Sequence, residues 1–251
     1  MQTLVKRSES TPMELANGSS ANGEECTGVD NINSKPMIPN LIGISGKAGH
    51  GKDTLGIILS TLIQNTARPV RLVKFATVLK QVAGLMLNED PNKFEDADFK
   101  KSLLPAALQS VHSLKTADEN TKPMWTDAKT THDYRWFLQH LGTEVGRALH
   151  PQLWIHAFFA SQFDPKAINI VTDVRFKNEA DVIREKGGIM IRIHNGNVHG
   201  PRYLFSSPHA SEVELDTYDF DYQIANSSTI QELTQRAAEL VDIISLATLA
   251  V

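Results

Sequence analysis

Residues 41–55 read LIGISGKAGHGKDTL, and this stretch decides the fold. A short apolar run is followed by a glycine-rich turn and then by apolar residues at helical spacing, as in a strand–loop–helix unit. The turn satisfies the pattern G-x-x-x-x-G-K, in which backbone N–H groups and the helix N-terminus surround a phosphate and the lysine reaches the outer phosphates. The stretch therefore predicts a nucleotide-binding loop formed by Gly46, Lys47, Ala48, Gly49, His50, Gly51, Lys52, Asp53 and Thr54.

The residue after the loop lysine departs from the usual pattern. Asp53 stands where Ser or Thr normally binds magnesium, and Thr54 follows it. A carboxylate there can hold Mg²⁺ directly or through water, since magnesium prefers oxygen ligands. Alternatively, Asp53 only favours the positive end of the helix. Both interpretations stay open, with Asp53 and Thr54 as magnesium candidates; Mg²⁺ is expected in either case because the phosphates recruit it.

Outward from the loop, strands and helices alternate. Apolar runs predict four further strands, at 70–75, 168–172, 189–193 and 221–225. Helical spacing predicts helices at 79–87, 133–149, 152–162, 180–187 and 230–244, with a further helix expected around 98–112. Such alternation predicts an α/β fold with a parallel sheet covered on both faces.

Composition limits the class of protein. The net charge of −4 and the pI near 6.1 argue against a nucleic-acid-binding surface. A lone cysteine, Cys26, excludes an internal disulfide and a Cys-rich zinc site. No run approaches the ~20 apolar residues of a membrane helix, and no signal peptide is recognisable, so we predict a cytoplasmic protein (in the host cytoplasm if it is viral). Residues 1–39 are polar and predict a disordered tail before a domain spanning 40–251.

The predicted helix at 133–149 carries a polar face. On a helical wheel, Arg135, Gln139 and Thr143 share this face with Gly142 and Gly146. Two glycines inside a helix cost about 1 kcal/mol each, so they need a reason. We interpret the face as the approach of a polar ligand; tight helix packing is the alternative. Apolar residues on another face of the helix predict a buried stripe, formed by Phe137, Leu138, Leu141, Val145 and Ala148.

A second polar group follows the predicted strand 168–172. The carboxyl edge of an open parallel sheet is where ligands bind. Asp173 is a candidate for holding magnesium or orienting an acceptor, and Arg175 for binding a phosphate through both nitrogens. A structural Asp–Arg pair is the alternative. The spacing of His132, His140, His150 and His156 does not indicate a metal site, and the guanine-reading N-K-x-D pattern is incomplete at 92–95, which argues against a signalling GTPase.

Four stretches, residues 46–54, 139–147, 172–179 and 209–212, together resemble the bacteriophage-type deoxynucleoside monophosphate kinases, a family of P-loop nucleoside monophosphate kinases. Residues 75–80 are similar to a fifth family stretch, Phe-Ala-x-Pro-Leu-Lys, with Val78 in place of the proline. The resemblance implies a P-loop three-layer fold with a helical acceptor-binding insertion and a mobile lid, for which 194–212 is the candidate and Arg202 a contributor. It implies transfer of the terminal phosphoryl group of ATP to a deoxynucleoside monophosphate.

Combined with the residue patterns, the resemblance predicts a set of site residues. The catalytic candidates are Lys52, Asp173 and Arg175. The acceptor-binding candidates are Lys80, Arg135, Gln139, Thr143, Glu144, Arg147, Arg175, Lys177 and Glu179. Two alternatives share the loop and the sheet: a kinase of another phosphorylated metabolite, such as dephospho-coenzyme A, and a regulatory module that hydrolyses ATP slowly. The partner is expected to be a small molecule, with homodimerisation left open.

Overall fold

The computed structural model describes residues 38–64, 68–114, 125–129, 131–196 and 210–247. The predicted tail at 1–39 lies almost wholly outside these residues, as does the lid candidate except for 194–196 and 210–212. The described chain forms two compact units: one contains the residues up to Val73 and from Asp164 onward, and the other spans Lys74–Phe163. The second unit is therefore an insertion in the sequence of the first.

The first unit contains a five-stranded sheet in the order β2-β5-β1-β6-β7, and every pairing is parallel. The strand that precedes the loop, β1, is fully buried at the centre, as its unbroken apolar sequence predicts. All five predicted strands are confirmed: β1 Leu41–Ser45, β2 Val70–Val73, β5 Ile168–Val171, β6 Ile189–His194 and β7 Tyr222–Ala225.

Helices cover both faces of this sheet, so the α/β three-layer prediction is confirmed. On one face, Ile42 and Ile44 share a core with helices α1 (Lys52–Ile63) and α7 (Ile230–Ala247). On the other, α5 (Lys177–Glu185) packs so closely that a Cβ at Gly43 would lie 2.8 Å from the Cδ1 atom of Ile183. A short helix, α6 (Ala210–Val213), precedes β7.

The second unit is built from helices and one antiparallel hairpin. Its helices are α2 (Ala76–Leu87), α3 (Tyr134–His140) and α4 (Leu153–Ser161), and its hairpin pairs β3 (Ser110–Leu114) with β4 (Trp125–Lys129). Its buried core is formed by Ala83, Phe94, Leu104, Tyr134 and Leu138.

The helix expected around 98–112 is wrong. This part of the chain forms two short 3-10 turns, Phe99–Lys101 and Ala106–Leu108, before it enters β3, and a third, Pro91–Glu95, precedes it. Ser102 is extended, with ψ 151°. Pro105 follows soon after, and a proline lacks the N–H that a helix needs and disfavours helical geometry in the residue before it.

The predicted helix at 133–149 changes its pitch halfway. A π-helical turn, Leu141–Arg147, follows α3 directly. Leu138 is buried as predicted, but Val145 is 51% exposed and Ala148 is exposed, so the predicted buried stripe is wrong beyond Leu141. The wider π turn holds more residues than the 3.6 of an α-helix, and every later side chain is therefore rotated away from its expected direction.

Candidate active site

The loop between β1 and α1 has the backbone that its glycines predict. Gly49 and Gly51 adopt positive φ angles of 79° and 92°, which residues with a side chain rarely adopt. The side chain of Asn226, at the end of β7, donates a hydrogen bond to the carbonyl oxygen of His50 at 3.0 Å and leaves no room for a Cβ at Gly51. The loop is thus fastened to the sheet edge at its midpoint.

Lys52 is the first residue of α1, and its ammonium folds back over the loop. Its Nζ donates to the carbonyl oxygens of Gly46 at 2.7 Å and Lys47 at 2.9 Å. Burial, followed by the neighbouring Arg175 guanidinium, lowers the pKa of Lys52 to about 8, against the opposing effect of nearby carboxylates. Lys52 and Arg175 therefore form a cationic site that favours a highly charged anion.

The lowered pKa of Lys52 predicts that ATP binding is linked to proton uptake. At pH 8 to 9 a large fraction of free Lys52 lacks its proton, whereas phosphates already ionised at this pH favour the protonated form. Calorimetric titration in buffers of different ionisation enthalpy should therefore show uptake of a fraction of a proton, and affinity should fall as pH rises above about 8. Lys52→Arg, which keeps its charge at this pH, should bind without uptake. Wild-type binding without proton uptake would contradict the assignment.

Asp53 projects from the first turn of α1 and contacts the end of β5. Its Oδ1 accepts a hydrogen bond from the Thr172 hydroxyl at 2.6 Å, which holds its carboxylate beside the strand end that carries Asp173. Oxygen donors of this kind suit Mg²⁺, which is commonly held by one or two carboxylates together with substrate phosphates. Asp53 has the donor chemistry that Mg²⁺ prefers, while Thr54 and Asp173 stay predicted ligands; the described residues contain no group of three His, Cys, Asp or Glu side chains arranged to hold a metal.

Arg175, which follows the end of β5, forms an ion pair with a residue other than Asp173. Arg175 forms an ion pair with Glu212 of α6, and its Nη1 also lies 3.5 Å from the carbonyl oxygen of Ser211. The structural alternative was a pair between Asp173 and Arg175. Among the described residues, Arg175 pairs with Glu212 instead. Glu212 belongs to the stretch 209–212, one of the four that carry the family resemblance. The sequence does not indicate that it pairs with Arg175.

Glu179 is placed to hold the turn before α5. It is buried at 4% exposure, and its Oε2 accepts hydrogen bonds from the N–H groups of Arg175 at 2.8 Å and Phe176 at 3.2 Å. Both contacts satisfy donors at the start of the helix. These contacts give Glu179 a positioning role in the turn, and its contact with the acceptor stays a prediction. Lys177 has an exposed side chain, and its N–H donates to Glu214 at 2.8 Å.

A second set of charges, not found from the sequence, fastens the loop. Asp216 accepts from Lys47 at 2.8 Å and from Arg192 of β6 at 2.9 Å. Arg192 also donates to the Ser45 hydroxyl at 3.1 Å. An arginine inside a buried apolar strand was the available signal, because a charge so placed needs a partner.

Gly142 and Gly146, which the sequence places on a polar helix face, lie in the π turn and have another explanation. A Cβ at Gly142 would lie 3.0 Å from the Cδ2 atom of Leu79, and a Cβ at Gly146 would lie 2.5 Å from the Trp154 ring, whose indole N–H donates to the Gly142 carbonyl oxygen at 2.7 Å. The helix-packing alternative therefore accounts for both glycines. Arg135, Gln139 and Thr143 are half-buried, and their side chains have no hydrogen-bond or ion-pair partner within the part of the chain that the structure describes.

The remaining acceptor candidates have mixed surroundings. Arg147 donates to the Pro151 carbonyl oxygen at 3.3 Å, and Glu144 is exposed. Lys80 is 13% exposed and forms an ion pair with Glu95 at 2.5 Å. Arg202 lies outside the described residues.

Comparison with known families identifies the family of the chain. The family model described as deoxynucleotide monophosphate kinase matches residues 76–237, from the start of α2 into α7. The chain belongs to this family. The match includes the insertion, the Asp173–Glu179 turn and Glu212, while the phosphate loop lies just before it.

Two viral relatives and one solved structure are similar to this kinase. A candidate deoxynucleotide monophosphate kinase of Acanthamoeba polyphaga mimivirus is 34% identical over 137 residues, 46% of this chain and 68% of its own. The deoxynucleoside-5'-monophosphate kinase of Escherichia phage T5 is 23% identical over 232 residues, 74% of this chain and 89% of its own. A gluconokinase structure from Sinorhizobium meliloti 1021 covers 84% of this chain and 95% of its own at 11% identity, with a TM-score of 0.36.

Family membership makes the chain a phosphotransferase acting on deoxynucleoside monophosphates. The alternatives of a dephospho-coenzyme A kinase and a slow regulatory ATPase receive no support from these relatives. No helix among the described residues is long and apolar enough to cross a membrane.

Proposed function

We propose that this kinase transfers the γ-phosphoryl group of ATP to the 5'-phosphate of a deoxynucleoside monophosphate and that the loop at 46–54 holds the donor. An oxygen of the acceptor phosphate attacks the γ-phosphorus, the bond to the β,γ-bridging oxygen breaks, and ADP leaves with the electron pair. The products are ADP and a deoxynucleoside diphosphate, a precursor of the triphosphates used in DNA synthesis. The observation that supports this most strongly is the half-buried Lys52 ammonium on the loop, with the Arg175 guanidinium close enough to lower its pKa.

In phosphoryl transfer the protein contributes mainly by positioning the substrates and by stabilising negative charge. Phosphoryl transfer spreads negative charge over the transferred group, and fixed cations stabilise it. Lys52 and Arg175 supply those cations, while Asp173 orients the acceptor or holds Mg²⁺ with Asp53 and Thr54. Mg²⁺, when bound with ATP, would neutralise charge on the β- and γ-phosphates. Lys47 is a loop cation already fastened by Asp216.

The acceptor nucleoside has a candidate surface on α3 and the π turn after it. Arg135 and Gln139 of α3 and Thr143 of the π turn offer a guanidinium, an amide and a hydroxyl, which suit hydrogen bonding to a base and sugar. Glu144 and Arg147 flank this surface in sequence. Half-buried polar groups of this kind also give selectivity, because the wrong acceptor would leave them unpaired.

A coupled assay of ADP formation tests the function directly. With ATP and Mg²⁺, we expect stimulation by at least one of dTMP, dGMP, dCMP and dAMP well above the rate without acceptor. Ribonucleotides and dephospho-coenzyme A serve as the comparison acceptors. A rate that no deoxynucleotide raises, or that dephospho-coenzyme A raises most, would overturn the proposal.

A further inference from the structure

Three lysines from separate parts of the second unit contact Glu95, and a fourth cation, Arg135, lies near one of them, Lys100. Lys74 precedes α2, Lys80 lies on α2, Lys100 belongs to the 3-10 turn at 99–101 and Arg135 lies on α3. We call these four side chains the cationic cluster. Glu95, at the end of another 3-10 turn, accepts from Lys80 at 2.5 Å and from Lys74 at 2.8 Å, and its backbone carbonyl oxygen lies 3.5 Å from the Nζ of Lys100.

Within the described residues, Lys100 has more cations than carboxylates around it. Glu95 is shared by two lysines, and the next carboxylate, that of Asp96, is exposed and accepts from the N–H groups of Asp98 and Phe99. Burial, then the Lys80 and Arg135 cations, lower the pKa of Lys100. Like charges held together at reduced solvent exposure destabilise one another, and a bound anion relieves that repulsion.

The donor types indicate which anion fits. Lysine ammoniums bind phosphate as point charges, and a guanidinium matches two phosphate oxygens at once. Arg135 also begins the polar surface proposed for the acceptor nucleoside, and its guanidinium has no side-chain partner in the described ranges. A ligand with a phosphate monoester joined to a polar nucleoside therefore suits the cluster and the helix face together.

We propose that the cationic cluster binds the phosphate monoester of the acceptor, which adds Lys74 and Lys100 to the binding residues. This inference rests on the proposed function for the identity of the ligand. It makes the insertion the unit that distinguishes a nucleotide from its unphosphorylated nucleoside.

Calorimetric titration with dTMP tests the inference, using enzyme saturated with ADP so that the phosphate loop is filled. Lys100→Gln should weaken dTMP binding about tenfold, the loss expected when one charge-assisted contact is removed. Lys101→Gln is the matched control: Lys101 is the adjacent lysine, 63% exposed and paired with Asp98. It should bind dTMP as the wild type does. In turnover, Lys100→Gln should raise the KM for dTMP and leave that for ATP unchanged.

A second measurement avoids substitution altogether. In the wild type, dTMP should slow modification of Lys100 by an amine-reactive reagent, measured by mass spectrometry, and thymidine should not. Equal dTMP affinity in both variants together with unprotected Lys100 would overturn the inference, even if the enzyme phosphorylates dTMP. If no deoxynucleotide is phosphorylated but the cluster still distinguishes dTMP from thymidine, the phosphate site stands and the proposed function fails.

Discussion

Lys52→Ala is expected to reduce kcat/KM by roughly 10³-fold, about 4 kcal/mol of transition-state stabilisation. The Lys52 ammonium lies over the loop and donates to two of its carbonyl oxygens. We expect phosphate oxygens to replace these two acceptors when nucleotide binds. We expect the fold to survive. Burial lowers the pKa of Lys52, so its charged form does not stabilise the folded state, and its removal should cost little stability. Steady-state kinetics with thermal melts provide the measurement.

Lys166→Ala provides the control, since Lys166 is an exposed lysine of the same unit. It should leave both turnover and melting temperature unchanged. Turnover near the wild-type rate in a folded Lys52→Ala enzyme would remove the loop from the mechanism.

Arg175→Ala is expected to lower kcat/KM by roughly 10²-fold or more, with a much smaller effect on stability. A partly exposed ion pair contributes about 1 kcal/mol or less to folding. A guanidinium that stabilises charge developing in the transition state contributes considerably more to the rate. If the phosphate contact uses both nitrogens of the fork, Arg175→Lys should also be impaired, because lysine keeps the charge but loses the planar geometry.

Glu212→Gln separates the two roles of Arg175. It removes the ion pair but leaves the guanidinium in place. We expect a small change in melting temperature and a smaller rate loss than in Arg175→Ala. Similar losses of rate and stability in Glu212→Gln and Arg175→Ala would make Arg175 a structural residue.

Much of the fold was predictable because its signals are local. Each buried strand of a parallel sheet is a continuous apolar run, and each helix repeats its apolar residues at a fixed spacing. The phosphate loop carries its own backbone requirement in Gly49 and Gly51, so the sequence specified both its place and its shape. The helix expected at 98–112 failed because local spacing was considered without the effect of Pro105.

The π turn after Leu141 is a case that the tertiary structure decided. Spacing alone cannot indicate a change of pitch, and the residues that explain it act from elsewhere: Trp154 occupies the space beside Gly146 and bonds to Gly142. The same glycines were interpreted from the sequence as room for a ligand.

By itself, then, the sequence determined the parallel sheet, the phosphate loop and the family, because each is encoded in residues that are neighbours along the chain. Only the tertiary structure decided the partners of the charges. Arg175 meets Glu212 across 37 positions, and Lys47 meets Asp216 across 169. Lys80, Lys100 and Arg135 come from three different elements, and Lys74 from the connection before α2. Coulomb attraction and repulsion depend on distance in space, which no spacing in the sequence encodes until the chain has folded.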